Sequence, residues 1–260
     1  MGWFVFYDNV ELKMGWSIKR DLRLGCMNIG EIKPQPNKPL IETVGNTIEE
    51  GLELLSKVGL NDGFLFLRSF EQLSDGQKCR YKIAKMMESK AQFWIMDEFA
   101  ATLDRDTAKI VAFNVRKLAR QEGKAVLAAT THTDLFEDLK PSVHVHKRFG
   151  KEIEVRYYPN EPVMECSLMK KIRIEEGTRS DYGLLAGFHY RSHNVGIVRK
   201  IFRAVRGSEV AGAIVYCYAG MTVAGRLQVL PKMSVQELNQ KLSVIMRVVV
   251  HPKYRTIGLG

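Results

Sequence analysis

Two acidic residues stand side by side at the end of an apolar run, Phe93-Trp94-Ile95-Met96 followed by Asp97-Glu98. A short apolar stretch of this kind reads as a strand buried in a sheet, and it delivers both carboxylates at its carboxyl end. The pair suits cleavage of a phosphoanhydride. That reaction needs one carboxylate to hold Mg²⁺, here Asp97, and a second to orient the attacking water, here Glu98. It also needs donors for the phosphoryl oxygens. Alone, four apolar residues and two acids mark only a strand end. Upstream, however, Leu73-Ser74-Asp75-Gly76-Gln77 sets a hydroxyl and an unhindered N–H just before a helix, where amide dipoles favour an anion. Downstream lie Ala101-Thr102-Leu103-Asp104 and then Val126-Leu127-Ala128-Ala129-Thr130-Thr131-His132, a strand ending in an imidazole that could reach a phosphate oxygen.

In this order and at these separations the set resembles the ABC ATPases: signature, Walker B carboxylates, D-loop and switch histidine. LSDGQ departs from the commonest signature, LSGGQ, only at Asp75. The resemblance runs over residues 40 to 157 and implies roles for the matching positions. Asp97 would bind Mg²⁺, and Glu98 and His132 would act at the γ-phosphate. Ser74, Gly76 and Gln77, with Asp104 at the contact, would close over ATP held by the opposite subunit of a head-to-tail dimer. The partner would be a second copy or another ABC ATPase.

One departure is large. The family uses a phosphate loop, GxxxxGK[ST], whose N–H groups and lysine cradle the phosphates. The nearest match is Gly25-Cys26-Met27-Asn28-Ile29-Gly30, but Glu31 and Ile32 replace the lysine and the hydroxyl residue. A carboxylate there repels phosphate, and Pro34, Pro36 and Pro39 follow where a helix should begin. The spacing is read as coincidence, so Asp97, Glu98 and His132 have no phosphate cradle in cis. Residues 1–32 are expected to be an atypical segment, either unrelated sequence or the product of a shifted gene start.

A second set closes the chain. Arg247-Val248-Val249-Val250 leads through His251-Pro252-Lys253-Tyr254 into Arg255-Thr256-Ile257-Gly258-Leu259-Gly260. A strand entering a basic, glycine-bearing loop can point successive N–H groups at a pyrophosphate. Arg255, Gly258 and Gly260 fit R-x-x-G-x-G and resemble the acetyl-CoA loop of the GNAT N-acetyltransferases. This implies acetyl-CoA as cofactor and an RNA or protein acceptor. The resemblance covers the amino-terminal half of such a domain, so both sites are expected to be incomplete.

The elements that must position these residues follow from periodicity. A strand is expected over Trp3–Val10. A helix over Asn46–Val58 would bury Ile48, Leu52, Leu55 and Val58. Helices are expected over Gln77–Ser89 and Thr107–Arg120, and strands over Phe93–Met96 and Ala125–Ala129. Val143–Val145 and Ile153–Val155 should pair as a hairpin. Beyond the proline-bearing stretch near Tyr158, strands are expected over Ser167–Ile174, Val210–Tyr218, Val223–Leu230 and, buried, Ile245–Val250. Helices are expected over Asp181–Arg191 and Val195–Val205. The fold class is therefore α/β: a partial ABC-type P-loop NTPase core followed by a partial α+β GNAT-like domain. The expected domains are 1–32, 33–158 without the P-loop, a linker at 159–166, and 167–260.

The 260 residues are 45% apolar and 26% charged, a globular balance, and no apolar run approaches the ~18 residues a membrane span needs. Residues 1–10 lack a basic leader, so they are not read as a signal peptide, and a cytoplasmic location is expected. Cys26, Cys79, Cys166 and Cys217 are not spaced as zinc ligands and read as reduced thiols. His189 and His193 sit one helical turn apart but lack a third ligand. The net charge of +10 suits polyanionic partners such as nucleotides, coenzyme A or RNA. Two alternatives to a fused ATPase–acetyltransferase remain: a non-catalytic or regulatory subunit that pairs with a complete ABC ATPase, and a transporter subunit.

Overall fold

The computed structural model describes residues 3–7, 25–147, 152–159, 165–189, 195–220 and 226–259, with backbone alone for 3–7. These fall into two units, Met1–Leu168 and Met169–Gly260. In the first, β1 (Trp3–Tyr7) and β2 (Cys26–Asn28) precede three helices, α1 (Ile48–Lys57), α2 (Gly63–Phe66) and α3 (Asp75–Glu88). There follow β3 (Phe93–Met96), α4 (Arg105–Gln121), β4 (Ala125–Thr130), α5 (Phe136–Leu139), β5 (Val143–Lys147) and β6 (Ile153–Tyr157).

The strands form one sheet in the order β2-β3-β4-β1-β5-β6. All neighbours are parallel except β6, which runs antiparallel to β5 as a hairpin. Residues 1–32, set apart in the sequence reading, thus supply two strands. β1 lies between β4 and β5, pairing Trp3 with Val126 and Phe4 with Val143, and β2 lies beside β3. Gly25–Gly30, which mimics a phosphate loop in its glycine spacing, is used up by β2 and a 3-10 turn, and Asn28 Oδ1 accepts the Gly30 N–H at 2.9 Å.

Trp94 and Met96 pair with Val126 and Ala128 on one face of the sheet, where all four are buried, and Ile95 is buried on the other face. Against the first four pack Ile83, Ala84, Met86 and Met87 of α3 and Val111, Ala112, Val115 and Leu118 of α4. Tyr81 Oη donates to Thr43 Oγ1 at 2.9 Å, and Lys85 Nζ donates to the Thr43 carbonyl at 2.9 Å, tying α3 to the segment before α1. α1 buries Gly51, Leu54 and Leu55, with Val58 just beyond. Ile48, expected on that face, is 65% exposed, because the stripe is rotated by about one residue.

The second unit is an antiparallel sheet in the order β10-β9-β8-β7, formed by β7 (Arg173–Gly177), β8 (Val198–Arg206), β9 (Glu209–Cys217) and β10 (Val244–Val250). α6 (Arg179–Ala186) buries Tyr182, Leu185 and Ala186 against Ile201, Ala213, Val215 and Val249. Short helices α7 (Arg226–Val229) and α8 (Val235–Lys241) precede β10. The expectations for this unit need correction in five places. Val195–Val205 is not a helix. Gly207-Ser208, with Gly207 at φ +60°, closes a two-residue hairpin that makes β8 the antiparallel partner of β9. Residues 226–229 form a helical turn instead of a strand, with Leu227 and Val229 exposed; the rest of the expected strand at 223–225 lies outside the described residues. The strand expected from Ser167 starts at Arg173, after a 3-10 turn at Met169–Lys171. α6 starts earlier than expected, because Thr178 and Asp181 form a reciprocal cap, and it ends at Ala186. β10 is a strand, but as the edge of the sheet it buries only Val249, leaving Ile245 and Val248 half exposed. Among the described residues no helix is long and apolar enough to cross a membrane.

On β5, His144 stacks on His146, with ring centres 6.0 Å apart, and tilts against Phe136 at 5.3 Å. Burial, then the charges of His146 and Arg156, hold His144 below the free histidine value of 6.5, against the opposing pull of Glu154. The unfolded chain therefore binds the extra proton first as pH falls below 6.5. The stability contributed by neutral His144 is complete above that pH and is lost on acidification. A pH series of urea midpoints is expected to fall on the acid side for the wild type and to flatten in His144→Gln; equal slopes in the two proteins would refute this.

Candidate functional site

β3 and β4 run parallel, so Asp97-Glu98 and Thr131-His132 leave the sheet at the same edge. In open α/β sheets ligands bind at the carboxyl ends of the strands, where the strand order reverses. Asp97 and Glu98 are both exposed there. The turn that carries them is strained: Glu98 at φ +48° and Ala100 at φ +60° occupy the left-handed region without being glycine. Neighbouring backbone holds it in place. Phe99 N–H donates to the Ala129 carbonyl at 2.7 Å, Ala101 N–H to Glu98 at 3.0 Å, and Leu103 N–H to Ala100 at 3.2 Å. Asp97 Oδ1 accepts the Glu98 N–H at 3.0 Å.

Opposite this turn stands the amino-terminal half of α3, across a cleft of about 300 Å³. Asp97, Glu98 and the turn at Phe99–Leu103 form one wall, and Asp75, Lys78, Cys79 and Lys82 the other. Ile29 and Phe70 complete the lining. Burial pushes the Cys79 thiol up to about 11, so it stays protonated and is no nucleophile near neutrality.

The signature residues also have local tasks. Ser74 and Gln77 form a reciprocal cap on α3: Ser74 Oγ accepts the Gln77 N–H at 3.4 Å, and Gln77 Oε1 accepts the Ser74 N–H at 3.0 Å. Gly76 is where α3 meets α4, since a Cβ there would lie 2.8 Å from Thr107 Cγ2. Asp104 caps α4 by accepting the Thr107 N–H at 3.1 Å. Signature and D-loop are thus locked together through Thr107.

His132 is not among the cleft residues. Its N–H donates to Thr130 Oγ1 at 3.2 Å, and its Nε2 is buried without a hydrogen-bond partner. Mg²⁺ commonly binds through one or two carboxylates, with waters and substrate phosphate completing its shell. Asp97 and Glu98 fit that requirement. A self-sufficient metal cage is another matter: among the described residues no group of three or more His, Cys, Asp or Glu could hold an ion. Of the pair His189 and His193, His193 lies outside the described residues.

In the second unit Arg255 follows the turn Pro252–Tyr254, and its Nε donates to the Val250 carbonyl at 3.3 Å. Gly258 has φ +92° and Thr256 φ +74°; Gly260 lies outside the described residues. Sequence reasoning missed Lys82 and the strained turn at Glu98. Lys82 stands one helical turn after Lys78, but nothing local in the sequence places that helix beside the acids. The positive φ at Glu98 has no local sequence signal.

No protein-family model matches the chain. Over 130 residues it is 30% identical to the energy-coupling factor transporter ATP-binding protein EcfA of Methanoculleus marisnigri, covering 50% of this chain and 42% of that protein. It is 27% identical to the methionine import ATP-binding protein MetN 2 of Acinetobacter baylyi, covering 55% and 47%. It is 29% identical to the MetN of Myxococcus xanthus, covering 74% and 59%. The matched stretch thus spans about half the length of these relatives. Among solved structures, cbiO1 of Clostridium perfringens matches with a TM-score of 0.44 and 14% identity, over 56% of this chain and 72% of that one. The sequence matches establish homology with ABC-type ATP-binding proteins and lend no support to an acetyltransferase in the second unit.

Gly76→Ala should destabilise the protein by about 1–3 kcal/mol, the usual cost of overpacking against a stiff β-branched neighbour. Removing Thr107 Cγ2 in the double variant Gly76→Ala/Thr107→Ser should restore most of that loss. Urea midpoints measure both, and an unaltered single variant would show that the helices are free to separate.

Proposed function

We propose that the first unit is an ABC-class ATP-engaging module that works with a partner carrying a phosphate loop. The observation that carries this reading is the convergence of Asp97, Glu98 and the amino-terminal half of α3 on one cleft, in a chain homologous to ABC-type ATP-binding proteins. Asp97 would hold Mg²⁺, which when bound neutralises developing charge on the phosphates. Glu98 would orient a water for in-line attack and accept its proton. His132 Nε2 would hydrogen-bond the γ-phosphate. From a second subunit, Ser74, Gly76 and Gln77 would present a hydroxyl and helix N–H groups to the same phosphate, with Asp104 at the contact. The 260 residues contain no GxxxxGK[ST], which favours a regulatory or pairing role over autonomous turnover. The expected partner is therefore a complete ABC ATPase.

The chain alone should show ATP turnover near background, in the wild type as in Glu98→Gln. Robust Mg²⁺-dependent turnover that Glu98→Gln abolishes would overturn the partner requirement. Sedimentation with a homologue bearing the phosphate loop should show ATP-dependent pairing that Ser74→Arg weakens.

A second reading concerns residues 167–260, where Arg255, Gly258 and Gly260 would receive the pyrophosphate of acetyl-CoA for transfer to an RNA or protein acceptor. It is favoured by the left-handed residues Thr256 and Gly258, which turn the backbone directly after β10 and its 3-10 turn. Calorimetry should find weak acetyl-CoA binding; a micromolar complex weakened by Arg255→Ala would show that this unit suffices.

A further inference from the structure

We infer that the cleft between α3 and the Asp97-Glu98 turn binds a Mg²⁺-coordinated diphosphate group in cis, with Lys78 and Lys82 contacting its oxygens. The inference rests on the proposed role of Asp97 as the metal-binding carboxylate. Lys78 and Lys82 are one helical turn apart on α3, so they project from the same face, and both line the cleft facing Asp97 and Glu98.

Neither lysine pairs with those acids. Lys78 has Asp75 at 3.9 Å, well beyond the ~2.8 Å of a charge-assisted hydrogen bond, and sits 5.9 Å from the centre of the Phe70 ring. Lys82 is half-buried and makes no ion pair among the described residues. Two cations and two facing carboxylates therefore share one cavity without meeting. The group that satisfies both walls is positive on one side and negative on the other, as a metal–phosphate unit is. The local charge adds a condition. Asp75, Asp97 and Glu98 against Lys78 and Lys82 leave the cleft with one net negative charge, which repels a free anion. A divalent cation reverses that sign, so the phosphate should bind only with its metal. The volume of about 300 Å³ is at the bottom of the range for small-molecule sites, ~300–1,000 Å³, and suits a diphosphate better than a whole nucleotide. The two lysines would supply in cis the cationic contacts that a GxxxxGK[ST] loop provides in the homologous class.

Calorimetric titration of the full chain with inorganic pyrophosphate, with and without Mg²⁺, tests this. Binding should require Mg²⁺. Lys78→Gln and Lys82→Gln should each weaken it about tenfold, and Asp97→Asn should abolish the metal-dependent part. Lys90→Gln, an exposed lysine outside the cleft, should leave it unchanged, and circular dichroism would confirm that each variant is folded. Absence of binding in the wild type, metal-independent binding, or full binding in both cleft-lysine variants would each overturn the inference. Intact pyrophosphate binding without ATP-dependent pairing would refute the partner reading and leave the cleft standing. The opposite pattern would refute the cleft and leave the pairing.

Discussion

α3 and α4 approach so closely at Gly76 that a methyl group there would meet Thr107 Cγ2 at 2.8 Å, and much of the candidate site depends on that contact. Asp104 fixes the start of α4 by capping Thr107, Thr107 fixes the approach of α3, and the Ser74–Gln77 cap fixes where α3 begins. The four residues that resemble ATP-contacting motifs are therefore also a structural latch. Such a dual role is economical, because groups already immobilised by caps and packing lose little further entropy when a ligand arrives.

The facing wall is built differently. Two non-glycine residues, Glu98 and Ala100, sit in the left-handed region within one turn, at an expected cost of about 1–3 kcal/mol each. The pairing of Phe99 with Ala129 and the buried Phe99 side chain hold the turn in spite of that cost. The result is a pair of exposed carboxylates at the end of an otherwise buried strand. One wall is thus held by close packing and the other by backbone hydrogen bonds and a buried phenylalanine that maintain a strained turn.

Much of the first unit was legible in the sequence, because its signals are strong and local. Asp97-Glu98 closes a four-residue apolar strand, α4 has a wide apolar face, and Ser74-x-x-Gln77 is a capping pattern. β1 and β2 were harder, since their parallel partners lie far along the chain and nothing nearby specifies which strands they will join. In the second unit β8 misled because Ile201, Ala204 and Val205 follow a helical spacing by coincidence. The two-residue Gly207-Ser208 turn was the signal that outweighed it. For β10, composition gave the strand but not its edge position, because burial is set by neighbours rather than by hydrophobicity. Lys82 went unnoticed for a related reason: its meaning comes only from the acids that the fold brings opposite to it.

The place of β1 in the sheet also has a temporal side. Trp3 pairs with Val126 and Phe4 with Val143, so β1 lies between two strands made more than a hundred residues later. During synthesis it must wait, unpaired, while α1, α2 and α3 form from nearby residues. Closing so long a loop carries a large entropic cost before any ladder bond repays it, which makes docking of β1 a late and slow event. The central sheet would thus be completed from its middle at the end of folding, and until then β4 and β5 would each have an open edge on which a foreign strand could settle.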